Sequence, residues 1–265
     1  MSAVRRVFPR GPLDFVWQML VVVAAYYAWR FGRGAVEAGA AGSLAHARDL
    51  ISVERSLHTF FEIDLQSWAV SSGWPSDVAS WMYAHVHFYG TLIGVLLVYF
   101  AHNRSFYFVR NMLFVAMAIS LLGYALYPTA PPRFVPELGL SVSPEVTGNE
   151  PIRVSDSPLF NPYAAVPSMH VGFALILGLS LAALSRRRLV RGLFVAYPLL
   201  MTYVVVATGN HSWLDAAAGA LVAAMAFGAA ELLGRLRPEA WSFKAEGTRP
   251  PLAPRIEPAP APAEP

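Results

Sequence analysis

Apolar residues fall into six long blocks, near positions 13–31, 78–100, 109–127, 167–184, 189–207 and 211–234. Each reaches or approaches the ~20 helical residues that cross a hydrocarbon core. The pattern predicts an all-α fold, a polytopic membrane bundle of six transmembrane helices. The last two blocks are separated by Thr208-Gly209-Asn210 alone, which predicts a tight helical hairpin. Arg5, Arg6 and Arg10 precede the first block as they would in a signal peptide. Small residues suited to cleavage (Ala38-Gly39-Ala40, Ala45-His46-Ala47) lie well past its end, so the block reads as an uncleaved anchor.

Three further segments break the apolar pattern. In 43–70, Leu50, Val53, Leu57, Phe60 and Phe61 recur at helical spacing, with Arg48, Asp49, Glu54, Arg55, Glu62 and Asp64 between them. This predicts an amphipathic helix that lies at the membrane surface or caps the bundle, with packing as its role. The stretch 128–166 is a long Pro-rich loop punctuated by Gly139 and Gly148, and loops of that length in a compact bundle are functional or disordered. The Pro/Ala-rich end predicts a boundary after Arg237: a membrane domain over 1–237 and a disordered cytoplasmic tail over 238–265.

Composition sharpens the class. Of 265 residues 55% are hydrophobic and 14% charged, with a mean hydropathy of +0.44. Soluble domains carry roughly 25% charged residues, and a soluble fold of this size could not bury so much apolar surface. Twenty basic residues face seventeen acidic ones without forming a basic stripe, which argues against nucleic acid as a partner. The absence of cysteine excludes a disulfide scaffold, a thiolate zinc site and a Cys nucleophile. With the N terminus inside, fourteen of the twenty basic residues fall on the cytoplasmic side, including the Arg186-Arg187-Arg188 cluster, so both termini are expected to be cytoplasmic. A single lysine against nineteen arginines, with abundant Ala, Gly, Val and Pro, suggests GC-rich coding DNA, hence a bacterium and its plasma membrane.

In that topology three polar segments converge on the external face: 128–133 (Pro-Thr-Ala-Pro-Pro-Arg), 161–170 (Asn-Pro-Tyr-Ala-Ala-Val-Pro-Ser-Met-His) and 208–215 (Thr-Gly-Asn-His-Ser-Trp-Leu-Asp). His211 and Asp215, four apart, share a face if helical. A carboxylate that accepts Nδ1–H leaves Nε2 with a free lone pair, which makes a nucleophile of a histidine. Taken alone, the pair could equally satisfy itself at a helix end. His170 stands next to Ser168 at a helix start, where free N–H groups and the dipole favour anions, although Ser168 could be a plain N-cap. Arg133 sits on a Pro-Pro strut, and its fork matches phosphate oxygens. Tyr83, His85 and His87 are polar positions in an apolar helix; His85 and His87 lie on different faces, so at most one readily points inward, unless both belong to an interfacial aromatic belt.

Pro-Ser-Met-His170 and His211-x-x-x-Asp215 resemble the second and third motifs of the type 2 phosphatidic acid phosphatase superfamily, integral membrane phosphatases with six-helix cores. Ala-Pro-Pro-Arg133, Asn161 through His170 and Thr-Gly-Asn-His211 look most like its inositolphosphotransferase-like branch, which includes fungal inositol phosphorylceramide synthases. The resemblance spans about 50–233. It implies a lipid phosphatase or phosphotransferase that acts on a phospholipid or lipid phosphate without metal or other cofactor. It makes His211 the nucleophile, Asp215 its orienting partner and His170 the general acid, with Ser168 and Arg133 holding phosphoryl oxygens. Asn161, Tyr163, Asn210 and His85 are the candidate substrate contacts.

Two departures matter. The superfamily has a lysine seven positions before the motif arginine, where this chain has Leu126. It has an arginine six positions before the nucleophile, where this chain has Val205. A pocket with fewer cations suits a phosphodiester donor, and therefore transfer between alcohols. Hydrolysis of phosphatidic acid or polyprenyl phosphates is the alternative chemistry. A transporter or a haem-binding helix bundle is the alternative outside enzymes, although the Pro-Ser pair and Arg133 suit an oxyanion better than haem.

Overall fold

The computed structural model describes residues 8, 10–36, 38–140, 159 and 161–243. About half of the expected 128–166 loop, Arg5, Arg6, Gly148 and most of the expected tail lie outside them. The described elements are helices: α1 (Pro12–Gly34), α2 (Ala40–Ser56), α3 (Glu62–Ser71), α4 (Trp74–Ala101), α5 (Asn103–Leu126), α6 (Met169–Leu184), α7 (Arg188–Ala207), α8 (Trp213–Leu236) and the short α9 (Pro238–Trp241). Two 3₁₀ turns, Pro132–Phe134 and Pro136–Leu138, follow α5, and an isolated bridge pairs Thr129 with Ala164.

Four helices, α4, α5, α7 and α8, are long and apolar enough to cross a membrane. The other two expected spans differ for identifiable reasons. α1 carries Asp14, Gln18, Arg30 and Arg33, which dilute its hydropathy. α6 has 16 residues, about 24 Å at the α-helical rise. It is also the most enclosed helix, with Val171, Phe173, Ile176, Leu177, Leu181 and Leu184 all buried. A helix wrapped by protein need not match the width of the lipid by itself.

The outer helices are apolar towards the outside. On α1 Leu13, Trp17, Leu20, Val23, Tyr27 and Phe31 follow one another at three- and four-residue steps, and all are at least half exposed. Such a stripe would be unstable in water and fits hydrocarbon. Trp29 on the opposite face of α1 donates to Ser120 of α5 at 2.9 Å, which pins the helix to the core.

The expected single amphipathic helix over 43–70 is two helices, broken where His58 takes a left-handed φ of 55°. Part of its polarity is also inverted. Val53, Leu57 and Phe61 are exposed, whereas Glu54 and Glu62 are buried. An amphipathic helix in water would do the reverse; here Glu54 and Glu62 face another part of the protein, while Arg48, Asp49, Arg55 and Asp64 stay exposed. The tail boundary differs as well: α9 turns back after Arg237, and Trp241 and Phe243 pack on the core, with Phe243 5.4 Å from Phe108.

Candidate active site

The α7–α8 hairpin builds the first half of the site. Thr208 ends α7, its hydroxyl donating to the Val204 carbonyl at 2.8 Å. Gly209 adopts φ +64°, a conformation suited to glycine, and the chain reverses so that the N–H groups of Asn210 and His211 both donate to the Val205 carbonyl. The Arg133 N–H donates to the Gly209 carbonyl at 3.0 Å, so the Pro-Pro-Arg turn is tied to this hairpin.

α8 begins two residues later than the sequence pattern suggests. Ser212 is its N-cap: the Asp215 N–H donates to Ser212 Oγ at 3.3 Å, and the Ser212 N–H donates to Asp215 Oδ2 at 2.9 Å. His211 therefore lies outside the helix, and its meeting with Asp215 comes from the capping box rather than from a shared helical face. His211 Nδ1 stands 3.4 Å from Asp215 Oδ2, adjacent but without a formed hydrogen bond. Both residues are buried, His211 at 5% exposure and Asp215 at 1%.

The second half comes from the start of α6. The Ser168 N–H donates to the Asp215 carbonyl at 3.0 Å, and the Ser168 carbonyl lies so close to Gly219 that it leaves no room for a Cβ there. Glycine at 219 is what lets the two helix starts touch. Ser168 has the N-cap position of α6, yet its hydroxyl caps nothing; it is fully buried and has no protein partner. Two residues on, His170 Nδ1 lies 3.3 Å from His211 Nε2. The His170 ring rests on Tyr83 (4.6 Å, stacked) and His87 (4.2 Å, tilted).

Cations close the ring of polar groups. Arg133 Nε and Nη1 are buried and unpartnered, and its charge acts on Tyr83 and His170. Arg33, in the last turn of α1, also has a buried and unpartnered Nε and acts electrostatically on Tyr83, His87 and His170. By contrast, Leu126 is 80% exposed and Val205 is buried beneath the His211 turn, so neither motif position that departs from the superfamily offers charge. A cavity of about 460 Å³ between α1 and α4 reaches His170; Tyr26, Tyr27, Arg30, Tyr83 and His87 line it.

Five sequence-selected residues thus surround one place: His170, His211, Asp215, Ser168 and Arg133. The four candidate substrate contacts behave differently. Asn161 is a buried clasp, donating to the carbonyls of Arg33 and Val36 and accepting the Tyr163 N–H. Tyr163 packs on Phe134 within the apolar cluster of Ala130, Val135 and Leu138. Asn210 adjoins the site, donating to Thr208 Oγ1 while its Oδ1 has no partner. His85 is exposed and stacked on Trp81, and His87 is the histidine that turns inward. Sequence reasoning did not single out Arg33 and missed its place here. An arginine ending an apolar helix also marks a membrane interface, so the signal was ambiguous.

The arrangement is that of an oxyanion site: two imidazoles, a carboxylate, a free hydroxyl and two guanidiniums at converging helix ends. An all-helical membrane protein with such a site is a candidate phosphoryl-handling enzyme. The chain matches the family model of the PAP2 superfamily over residues 48–229 and belongs to that superfamily, whose members are phosphatases and phosphotransferases. No curated protein and no solved structure matches it.

Proposed function

We propose that the protein is a lipid phosphotransferase of the inositolphosphotransferase-like kind, working through a phosphohistidine on His211. The observation that carries this reading is the contact of two imidazoles beside unpartnered phosphate-type donors, namely the Ser168 hydroxyl and the Arg133 guanidinium. Asp215, next to His211 Nδ1, favours the tautomer with the proton on Nδ1. Nε2 then accepts, and His170 Nδ1 is the donor across the 3.3 Å contact.

In the reaction His211 Nε2 attacks phosphorus, the bond to the lipid alcohol breaks, and the leaving oxygen takes a proton from the His170 imidazolium, which becomes neutral. A phosphoryl group on Nε2 would occupy the space that His170 Nδ1 now fills, so the two rings must part as the donor binds. The acceptor hydroxyl then gives its proton to neutral His170 and attacks phosphorus, and the N–P bond breaks. Ser168, Arg133 and Arg33 hold the phosphoryl oxygens as charge builds on them. Two guanidiniums, where the superfamily motifs supply three cations, suit the single charge of a phosphodiester. Six helices, with α1 and α6 counted as spans, both termini cytoplasmic and the site on the external face of a bacterial plasma membrane complete the proposal; the distribution of arginine supports it.

The test uses purified protein with a panel of labelled phospholipids and phosphatidic acid, with and without lipid alcohol acceptors such as a ceramide. The expected result is an acid-labile, base-stable phosphoprotein and a new phospholipid that depends on the acceptor. Release of free phosphate regardless of acceptor would make the enzyme a lipid phosphatase instead. Absence of any labelled protein or product would remove the histidine mechanism.

A further inference from the structure

The two interfacial helices do more than cover the bundle. Each sends one buried carboxylate to the start of α8, immediately behind the His211–Asp215 pair. Glu62 of α3 accepts the Trp213 N–H on Oε1 at 3.0 Å and the Phe61 N–H on Oε2 at 2.9 Å, so both of its oxygens are engaged. Glu54 of α2 accepts the Leu214 N–H on Oε1 at 3.1 Å, while its Oε2 is buried with no partner. Ser212 takes the Asp215 N–H, and its carbonyl takes that of Ala216. The first four N–H groups of α8 are thereby all satisfied, two of them by residues more than 150 positions away in the chain. A helix start needs such acceptors, and its dipole offers about half a positive charge. Three carboxyl groups, Glu54, Glu62 and Asp215, are more negative charge than that half-charge balances.

We propose that Glu54 is a positioning residue for the His211–Asp215 pair, acting through Ser212, and that its protonated form is the working one. The proposal rests on His211 and Asp215 being the reacting pair. The Ser212 side chain is a polar neighbour of the Glu54 carboxyl, and its hydroxyl donates to Asp215 Oδ1 at 3.2 Å. A protonated Oε2 can donate to Ser212 Oγ, which keeps the Ser212 hydrogen on Asp215 and the Asp215 carboxylate turned to His211. An ionised Glu54 competes for that same hydrogen and adds a third charge to the cluster. Burial, then the charge of Glu62, push the Glu54 carboxyl up to about 7, with Asp215 adding to the rise and Ser212 and the Leu214 N–H opposing it. Those are the charged and polar groups that α3 and α8 turn to it. On its own helix, Arg48 pairs with Glu137 and Arg55 lies over Phe60, so neither neutralises it.

Glu54→Gln copies the protonated form: its amide can donate to Ser212 while its oxygen accepts from Leu214. The experiment measures turnover of nitrophenyl phosphate and phosphatidic acid in detergent micelles from pH 5.5 to 9, for the parent, Glu54→Gln and Glu62→Gln. Phosphoprotein trapping and melting are followed in the same buffers. Above pH 7 the protonated fraction of such a group falls about tenfold per unit, and parental turnover should follow it. Glu54→Gln should lack that loss, so its ratio of turnover at pH 8.5 to that at pH 6 should exceed the parental ratio by about tenfold or more. Glu62→Gln should lower the melting temperature and leave the alkaline loss in place. An alkaline loss in Glu54→Gln equal to the parental one overturns the proposal. Infrared spectroscopy of the parent reads the proton without any variant: a protonated carboxylic acid band should be present at pH 6 and disappear near pH 7, and its absence at pH 6 overturns the proposal as well. A parent that forms no phosphohistidine would instead sink the functional reading, with the infrared result still deciding the charge of Glu54.

Discussion

The bundle has a polar cluster at each end, and the two are built on opposite plans. At the end where α4 meets α5, Asp14 accepts from the hydroxyls of Tyr99 at 2.8 Å and Tyr107 at 2.7 Å. Arg110 there donates to Gln18 and Asn111, and Arg10 and Arg110 both lie over the Tyr107 ring. Nearly every polar group has a partner; Arg110 Nε and Asn111 Nδ2 are the exceptions. At the histidine end, by contrast, nine buried polar atoms among the described residues have none, on Arg33, Glu54, His87, Arg133, Ser168, Asn210, His211 and Trp213. Buried polar atoms in native proteins are generally paired, because an unmade hydrogen bond costs about 1–3 kcal/mol. A network that holds helices together closes on itself. One that waits for a substrate keeps its donors open at a cost in stability, and that difference separates structure from site more sharply than the residue types do.

The contrast can be broken at either end. The largest effect belongs to His211→Ala, which should abolish phosphoprotein formation and lower turnover by at least about 10⁴-fold, read by trapping with labelled donor. Arg133→Ala should cost about 10²–10³-fold in turnover, the usual range for one oxyanion donor. Arg33→Gln should cost less, about 10–100-fold, as the loss of one charge-assisted contact. Equal activity of the Arg33 variant and the parent would show that the Arg33 guanidinium, whose Nη2 also donates to the Asn161 carbonyl at 3.4 Å, serves packing alone. At the closed end, Asp14→Asn should remove about 1–3 kcal/mol of stability in detergent melts and leave kcat/KM unaltered. A catalytic defect there would erase the distinction between the two clusters.

A smaller, graded effect comes from Glu54. Its carboxyl is held up to about 7 in the folded protein against an ordinary value of 4.5. Between those values the folded state keeps a proton that the unfolded chain has lost, so stability falls as pH rises through that window. The melting temperature should decline from pH 4.5 to about 7 and level off above, with the decline absent in Glu54→Gln. The smallest effect is expected of His85→Ala, whose ring lies on Trp81 at the exposed face. Its activity should stay within about twofold of the parent, in the range usual for surface changes.

Much of the site was legible in the chain. Three separate polar segments carried His170, His211, Asp215, Ser168 and Arg133, and the alternation of apolar blocks placed them at one end of the bundle. The manner in which His211 reaches Asp215 was misjudged, although its signal was present. Ser212-Trp-Leu-Asp215 is a capping box, which starts the helix after His211 instead of at it. His85 and His87 could not be ranked, because two positions apart on a helix they lie on different faces. Which of those faces meets α6 depends on how α4 packs. Arg33 and the two buried glutamates were hidden by the same ambiguity: periodicity shows which residues share a face and says nothing of what that face meets.

The sequence alone determined the class of the fold, the membrane as its setting, and the identity of the imidazoles, carboxylate and arginine of the candidate site, because long apolar blocks and local motifs are properties of neighbouring residues. The tertiary structure decided which helices are enclosed and which face lipid, that Glu54 and Glu62 turn inward to the start of α8, and that Arg33 and His87 join the site. Those outcomes depend on contacts between segments far apart in the chain, where a polar group finds its partner only after the helices have packed.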